Sequence, residues 1–329
     1  MKLWLLVALV TPSLVFAYTP TTQNDCSPLD LRNSHLAEVR NQKQMAWCYA
    51  FTGADMLSDA FETSERISAA DVAISYNQTR LGLFVRWFNL NVVNRSKPNI
   101  GVLAHQTGFN KVSLDRAMKQ GWCPERIFPS ESWTKVTRTE NGWVESQVNL
   151  DKAMIEIGVL HDARKNLTAQ NLPYYFKFKN VGPEEFVSLI QTKKIARFYE
   201  DLRVTVCQDD RQPFPTKYKS KMVFKNSKIF KRVSEQLELG RLVGLDYDSR
   251  LLQDSTHRGV KLAELHTSSI VGRRWSEENN SCEFLIRNSH GDGCGEKYDP
   301  SYECDAGNIW VPESKIYPGT ISIVYMLTN

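Results

Sequence analysis

What this chain lacks narrows it first. Beyond its first seventeen residues no stretch is apolar for long enough to cross a bilayer. Neither sign of charge dominates: 41 basic against 37 acidic residues leave a net +4, too balanced to imply a nucleic-acid partner. Basic stretches such as Lys217 to Lys231 read as a solvated face. The seven cysteines, Cys26, Cys48, Cys123, Cys207, Cys282, Cys294 and Cys304, include no CxxC pair. Zinc is therefore disfavoured against disulfides, and neither a metal nor a cofactor is expected.

The start of the chain sets the compartment. Lys2, the apolar run Leu3 to Val10 and the small residues of Val15-Phe16-Ala17 read as a secretory signal peptide cleaved after Ala17. The run is too short, and too soon interrupted by Thr11, Pro12 and Ser13, to serve as an anchor. No cysteine follows Ala17 directly, which argues against a lipoprotein. The mature chain is expected to be secreted or periplasmic, with no membrane contact after cleavage. Its length suits two packed lobes better than one. In an oxidising compartment an odd cysteine count leaves at least one thiol unpaired. Cys294 and Cys304 would close a natural short loop, and Cys123 looks structural.

Cys48 is the leading candidate for the free thiol. The residues before it, Asn41 to Gln44, are polar and loop-like. From Cys48 onward Tyr49, Phe51, Met56, Leu57 and Phe61 recur at helical spacing, which predicts a helix from Cys48 to about Phe61. Unpaired N–H groups and the positive dipole end there favour a thiolate. The competing reading, a buried helix cysteine or a disulfide partner, stays open on this argument alone.

A thiol nucleophile needs a proton acceptor. The six histidines are His35, His105, His161, His257, His266 and His290. His266 opens a strand-like run to Gly272. Another run, Glu283 to Asn288, leads into the turn Ser289-His290-Gly291-Asp292-Gly293. With Leu242 to Tyr247 as a third strand, His266 and Asn288 could meet across a sheet.

These pieces together resemble the papain-like cysteine peptidases. Asn41-Gln42, then Cys48-Tyr49-Ala50-Phe51, matches the family's nucleophile segment, and Asp30-Leu31-Arg32 resembles its mature start. His266 with Val271-Gly272, and Phe284-Leu285-Ile286-Arg287-Asn288-Ser289-His290-Gly291, match its base and asparagine strands. The resemblance implies that Cys48 is the nucleophile and His266 the base, commonly as a thiolate–imidazolium pair. Asn288 would orient the imidazole, and Gln42 with the Cys48 backbone N–H would form the oxyanion hole. It covers residues 26–135 and 240–325.

Departures from the family pattern are informative. Met45 stands where a disulfide cysteine is usual. Trp47 replaces a small residue and would narrow the cleft. His290 replaces a tryptophan and could titrate near neutrality. The Cys48-to-His266 spacing exceeds the roughly 130–150 residues expected, so an insertion is implied, either capping the cleft or elaborating the surface. Within it Val181 to Tyr199 reads as helix and Gln208 to Lys221 as loop. Residues 101–133 resemble the family's first-lobe segment, with a helix from Ser113 to Gln120 and Gly108-Phe109 nearest to its cleft glycines. Asp30 already matches the mature start, so control by a partner, by export or by the insertion is expected in place of a long prosegment.

The expectation is thus an α+β, two-lobed papain-like fold: a helical first lobe, an antiparallel β-barrel-like second lobe and a cleft between. Residues 1–17 would be the signal, 18–148 the helical lobe, 149–240 the insertion and connection, and 241–329 the β lobe. The expected activity is hydrolysis of peptide bonds by a monomer. Its partners would be a peptide or protein substrate and, as a further candidate, a protein inhibitor. Trp47, Gly108, Phe109, Leu265 and His290 are the candidate cleft residues. A catalytically weakened binding module and a thiol acyl transferase are the alternatives. Asn77, Asn94 and Asn166 begin glycosylation sequons.

Overall fold

Helix α1 (Cys48–Ala60) forms where the polar loop gives way to apolar residues on every side. Tyr49, Ala50, Phe51, Ala54, Met56 and Leu57 are all buried, as expected of a helix running through a core rather than over it. In this computed structural model the described residues are 18–32, 36, 38–79, 82, 108–215, 218–261 and 264–328. The expected signal segment, His35, His105, the sequon at Asn94 and the start of the first-lobe segment at Gly101 lie outside them.

Around α1 pack α2 (Ala69–Tyr76) and α3 (Asn110–Gln120). Ser68 caps α2, its Oγ accepting from the Asp71 N–H at 3.0 Å. Asn77, which follows α2, is buried, so its sequon is closed to a glycan, whereas Asn166 is exposed.

The excess length is not a surface addition. Strands β2 (Ser132–Thr139), β3 (Gly142–Asn149) and β4 (Tyr174–Lys177) form an antiparallel sheet in the order β3-β2-β4. Helices α4 (Leu150–Ala163), α5 (Pro183–Ile190) and α6 (Ile195–Cys207) accompany it. Trp133, Ile157, Phe176, Phe186, Phe198 and Val206 join the same apolar cluster as Phe51, Leu57 and Ile74. A Cys123–Cys207 disulfide and buried ion pairs from Arg203 and Arg211 to Asp71, at 2.8 and 2.7 Å, fuse this segment to α2 and its surroundings. The stretch Val181 to Tyr199 is two helices, not one, broken at residues 191–194.

The second lobe is one antiparallel sheet. It comprises β5 (Tyr218–Phe224), β6 (Val243–Asp248), β7 (Leu265–Ser276), β8 (Ser281–Arg287), β9 (Glu303–Asp305), β10 (Asn308–Pro312) and β11 (Thr320–Thr328). Their order is β5-β11-β6-β7-β8-β10-β9, with the short β1 (Leu29–Asp30) paired to β7. The sheet is open: among the described residues no pairing joins β5 to β9, so the expected barrel-like form has no closure. Helices α7 (Ile229–Glu238) and α8 (Glu313–Gly319) complete the lobe. Residues 218–238, expected within the insertion, thus belong to this lobe, and the end of the expected loop, Tyr218 to Lys221, opens the edge strand β5.

The strand period of two separates the faces of this sheet. Val243, Leu245, Tyr247, Ile323 and Tyr325 pack with Phe230 and Val233 of α7. Val324 and Met326 belong instead to the first lobe's cluster. Gly244 faces that lobe as well, and any side chain there would collide with Asn110 and press on Met56. Glycine is what lets α1 and α3 approach β6.

Candidate active site

Six cysteines pair as Cys26–Cys282, Cys123–Cys207 and Cys294–Cys304, and Cys48 alone remains a free thiol. It is the first residue of α1 and is 6% exposed. The backbone N–H groups of Thr267 and Tyr49 lie beside its sulfur. Burial nevertheless pushes the thiol up to about 11, with the negative charge of Asp246 adding to the effect and these neighbours only partly offsetting it. A helix terminus was expected to lower this pKa, whereas burial raises it.

His266 stands at the start of β7, opposite Tyr247 of β6. Strand β8 runs antiparallel on the other side of β7 and ends at Arg287, which delivers Asn288 beside the imidazole. His266 Nε2–H donates to Asn288 Oδ1 at 2.7 Å, which leaves Nδ1 as the ring's acceptor. The same Oδ1 accepts from Ser268 Oγ at 3.2 Å, and Ser268 Oγ in turn meets Tyr247 OH at 2.8 Å. Asn288 Nδ2 points toward Tyr298 OH at 3.5 Å. The carboxamide is thus fixed by two residues of β7, one of them backed by Tyr247 of β6, and by Tyr298 from a loop. Burial lowers the His266 pKa, opposed by the Asn288 bond, so the resting ring is held toward its neutral form.

His290 stacks on His266, with centroids 5.4 Å apart and planes 15° from parallel. Burial first, then His266 and Lys297, bring the His290 imidazole down to about 4. It is a neutral cover over the His266 ring, where titration near neutrality was expected.

Gln42 is held from both ends. Its N–H donates to Ser289 O at 2.9 Å and its Oε1 accepts from Ser289 Oγ at 2.5 Å. Nε2 donates to Met45 O at 2.7 Å. This pins the loop before Cys48 to the turn after Asn288, reinforced by a bridge between Asn41 and His290.

Beneath these loops lies an ionic cluster not anticipated from sequence. Asp55, two turns along α1, accepts from Arg40 at 2.7 Å, Arg287 at 2.9 Å and Arg66 at 3.4 Å. Arg40 also reaches Glu125 at 3.0 Å. Burial alone would raise the Asp55 carboxyl, but the arginines, Arg40 foremost, hold it well below the usual carboxylate range.

The other expected residues divide. Trp47 is fully buried in the first lobe's cluster and does not narrow a cleft. Gly108 lies so close to the Tyr49 ring that a Cβ would overlap it. Phe109 is 43% exposed beside it, and Leu265 is half-buried next to His266. Of the remaining described histidines, His161 bonds Thr192 O at 2.9 Å and His257 lies 3.5 Å from Asp248, both apart from Cys48. Among the described residues no cluster of ligating side chains is placed to hold a metal ion.

Known structures with a related arrangement of the chain are cysteine proteases. Bromelain from Ananas comosus in complex with the E64 inhibitor aligns at 11% identity over 92% of this chain and 99% of that one, with a TM-score of 0.44. Digestive procathepsin L 3 from the larval midgut of Tenebrio molitor aligns at 11% identity over 93% and 72%, with a TM-score of 0.46. A Carica candamarcensis cysteine protease in complex with E-64 aligns at 13% identity over 92% and 99%, with a TM-score of 0.43. No protein-family model matches the chain, and no curated protein matches it. Likeness at this level carries nothing about activity, which has to be read from the side chains themselves.

Proposed function

We propose that this chain is an exported cysteine peptidase in which Cys48 is the nucleophile, His266 the general base and Asn288 its positioning residue. The supporting observation is the 2.7 Å bond from His266 Nε2 to Asn288 Oδ1. It turns the acceptor nitrogen of the ring free on a strand whose next residue, Thr267, touches the sole free thiol among the described cysteines. The burial that raises the thiol and lowers the imidazole favours a neutral resting pair over an ion pair.

His266 Nδ1 takes the thiol proton as Cys48 Sγ adds to the carbonyl carbon of a peptide bond. Gln42 Nε2 carries a second hydrogen besides the one given to Met45, and with the Cys48 backbone N–H it stabilises the oxyanion. The imidazolium passes its proton to the leaving amine as the C–N bond breaks, leaving a thioester. Water then attacks the thioester, His266 removes its proton, and that proton returns to sulfur as the acid leaves.

Three disulfides fit an oxidising compartment, and among the described residues no helix is long and apolar enough to cross a membrane. Export after cleavage at Ala17, a monomeric state and restraint by a protein inhibitor belong to the same reading. The test is labelling of the purified chain with an epoxide inhibitor of cysteine peptidases, together with peptide hydrolysis. Both are expected in the wild type and lost in Cys48→Ala. Hydrolysis that survives Cys48→Ala would end the proposal.

A further inference from the structure

Among the described residues Asp246 is a strand carboxylate with no cation paired to it. It sits on β6 between Leu245 and Tyr247, both fully buried, yet solvent reaches its own side chain. By strand alternation it lies on the face turned toward the helical lobe, opposite Thr267 of β7 and Ser322 of β11. Thr267 Oγ1 donates to Oδ1 at 2.8 Å and Ser322 Oγ donates to Oδ2 at 2.7 Å. A carboxylate offers about four acceptor positions, so these hydroxyls leave capacity for a charged donor.

The contrast with other buried acids is what makes this one informative. Asp55, Asp71, Asp248 and Glu283 are each met by at least one arginine. Glu313 lacks one, but it is 1% exposed and is closed off by the Thr21 N–H and Tyr18. Among the described residues Asp246 has no ion pair, and the hydroxyls of Ser322 and Thr267 are the groups that oppose the effect of its burial. An unpaired carboxylate held between two hydroxyls and partly out of water is costly, and a cation from outside relieves that cost.

Its position points to the occupant. Thr267, which holds Asp246 Oδ1, also touches the Cys48 sulfur, and the charge of Asp246 is felt at that thiol. A group paired with Asp246 therefore lies beside the attacked bond. We infer that Asp246 is a specificity-determining residue that binds a lysine or arginine side chain of the substrate close to the scissile peptide bond. The inference rests on the peptidase reading and deepens it. Neutralising Asp246 also removes a negative charge that opposes thiolate formation, so a basic side chain raises kcat as well as lowering KM.

The experiment compares the full-length mature chain with Asp246→Asn on a positional peptide library, with norleucine as the neutral reference. Asp246→Ala is the substitute should the amide variant fail to fold. The wild type is expected to prefer arginine or lysine at one subsite by about 30-fold or more in kcat/KM, the scale of a partly desolvated charge pair. The preference is expected to collapse to within a few-fold in the variant. Cys48-dependent hydrolysis without a basic preference overturns the inference while the peptidase reading stands. A basic preference that survives Asp246→Asn overturns it as well.

If no peptide is cleaved in a Cys48-dependent way, the peptidase reading falls and binding decides this one. Arginine and norleucine peptides are then titrated calorimetrically into Cys48→Ala, with and without Asp246→Asn. Tighter arginine binding that needs Asp246 upholds the site, and equal binding overturns it.

Discussion

Arg287 Nε donates to Asp55 at 2.9 Å, and this buried contact ties the strand that delivers Asn288 to the helix that begins at Cys48. Arg40, two residues before Gln42, reaches the same carboxylate at 2.7 Å. One aspartate thus registers the three chain segments on which the proposed chemistry depends. Further bonds from Arg287 Nη2 to Leu36 O and Glu38 O, each at 2.8 Å, extend the hold to the loop entering the site.

Removing Asp55 leaves Arg40 and Arg287 buried without their shared counter-charge. Asp55→Ala is expected to cost about 3–5 kcal/mol in denaturant unfolding, the usual scale for breaking a buried pair from one side. A loss below 1 kcal/mol would show that solvent or Glu125 compensates. Because the folded-state pKa is depressed, the carboxylate stabilises the fold above the ordinary aspartate range. That contribution is lost as pH falls below this range toward the lowered value. The wild type should accordingly lose more stability than Asp55→Asn on acidification below about pH 4.

Carboxamidomethylation of Cys48 tests the resting protonation state. With the thiol pushed up to about 11 by burial, the alkylation rate is expected to keep rising with pH through the alkaline range. A rate plateau reached by neutral pH would instead reveal a preformed thiolate–imidazolium pair.

Gln42→Ala probes the proposed oxyanion donors. The expected loss is about 100- to 1000-fold in kcat with KM little changed, because a donor aimed at developing charge matters mainly in the transition state. A change confined to KM would place Gln42 in substrate binding. A Ser289→Ala companion controls for the anchoring role of the Gln42 carbonyl.

His290→Trp separates covering from titration. His290 has a folded pKa of about 4 against 6.5 for the free side chain. The unfolded state therefore binds the extra proton first, and stability falls as pH drops from about 6.5 toward 4. The tryptophan variant is expected to show a shallower decline of Tm across that window and an unchanged pH–rate profile above it. Equal Tm slopes in both proteins would contradict this assignment.

The local pieces of the site were legible because each has its own signature. The helix at Cys48 follows from apolar spacing, and the strands before Asn288 and after His266 from short strand-like runs that end in turn residues. The start of strand β5 was not legible: Tyr218-Lys219-Ser220-Lys221 continues a polar stretch that holds Pro213 and Pro215, so it reads as the end of a loop. At the sheet edge, where the strand pairs only with β11, its lysines discourage stray pairing. Asp55 and Asp246 were missed for a related reason. Each is an acid in a largely apolar element, and its meaning lies partly in partners more than seventy positions away, such as Arg287 and Ser322. The one available hint was the acid itself, since a carboxyl on a buried element needs an explanation. The course of the excess length was hidden too, because its aromatic residues bury against helices that precede it in the chain.

The cross-links differ in how a reducing agent meets them. Cys26, Cys282, Cys123 and Cys207 are at most 1% exposed, whereas Cys294 and Cys304 sit partly in solvent. A dilute thiol in the buffer would therefore regenerate an oxidised Cys48 and open the outer loop well before it loosened the two inner staples. Preparation conditions thus have a usable window, and batches that vary in thiol reactivity would trace to the history of one sulfur rather than to unfolding.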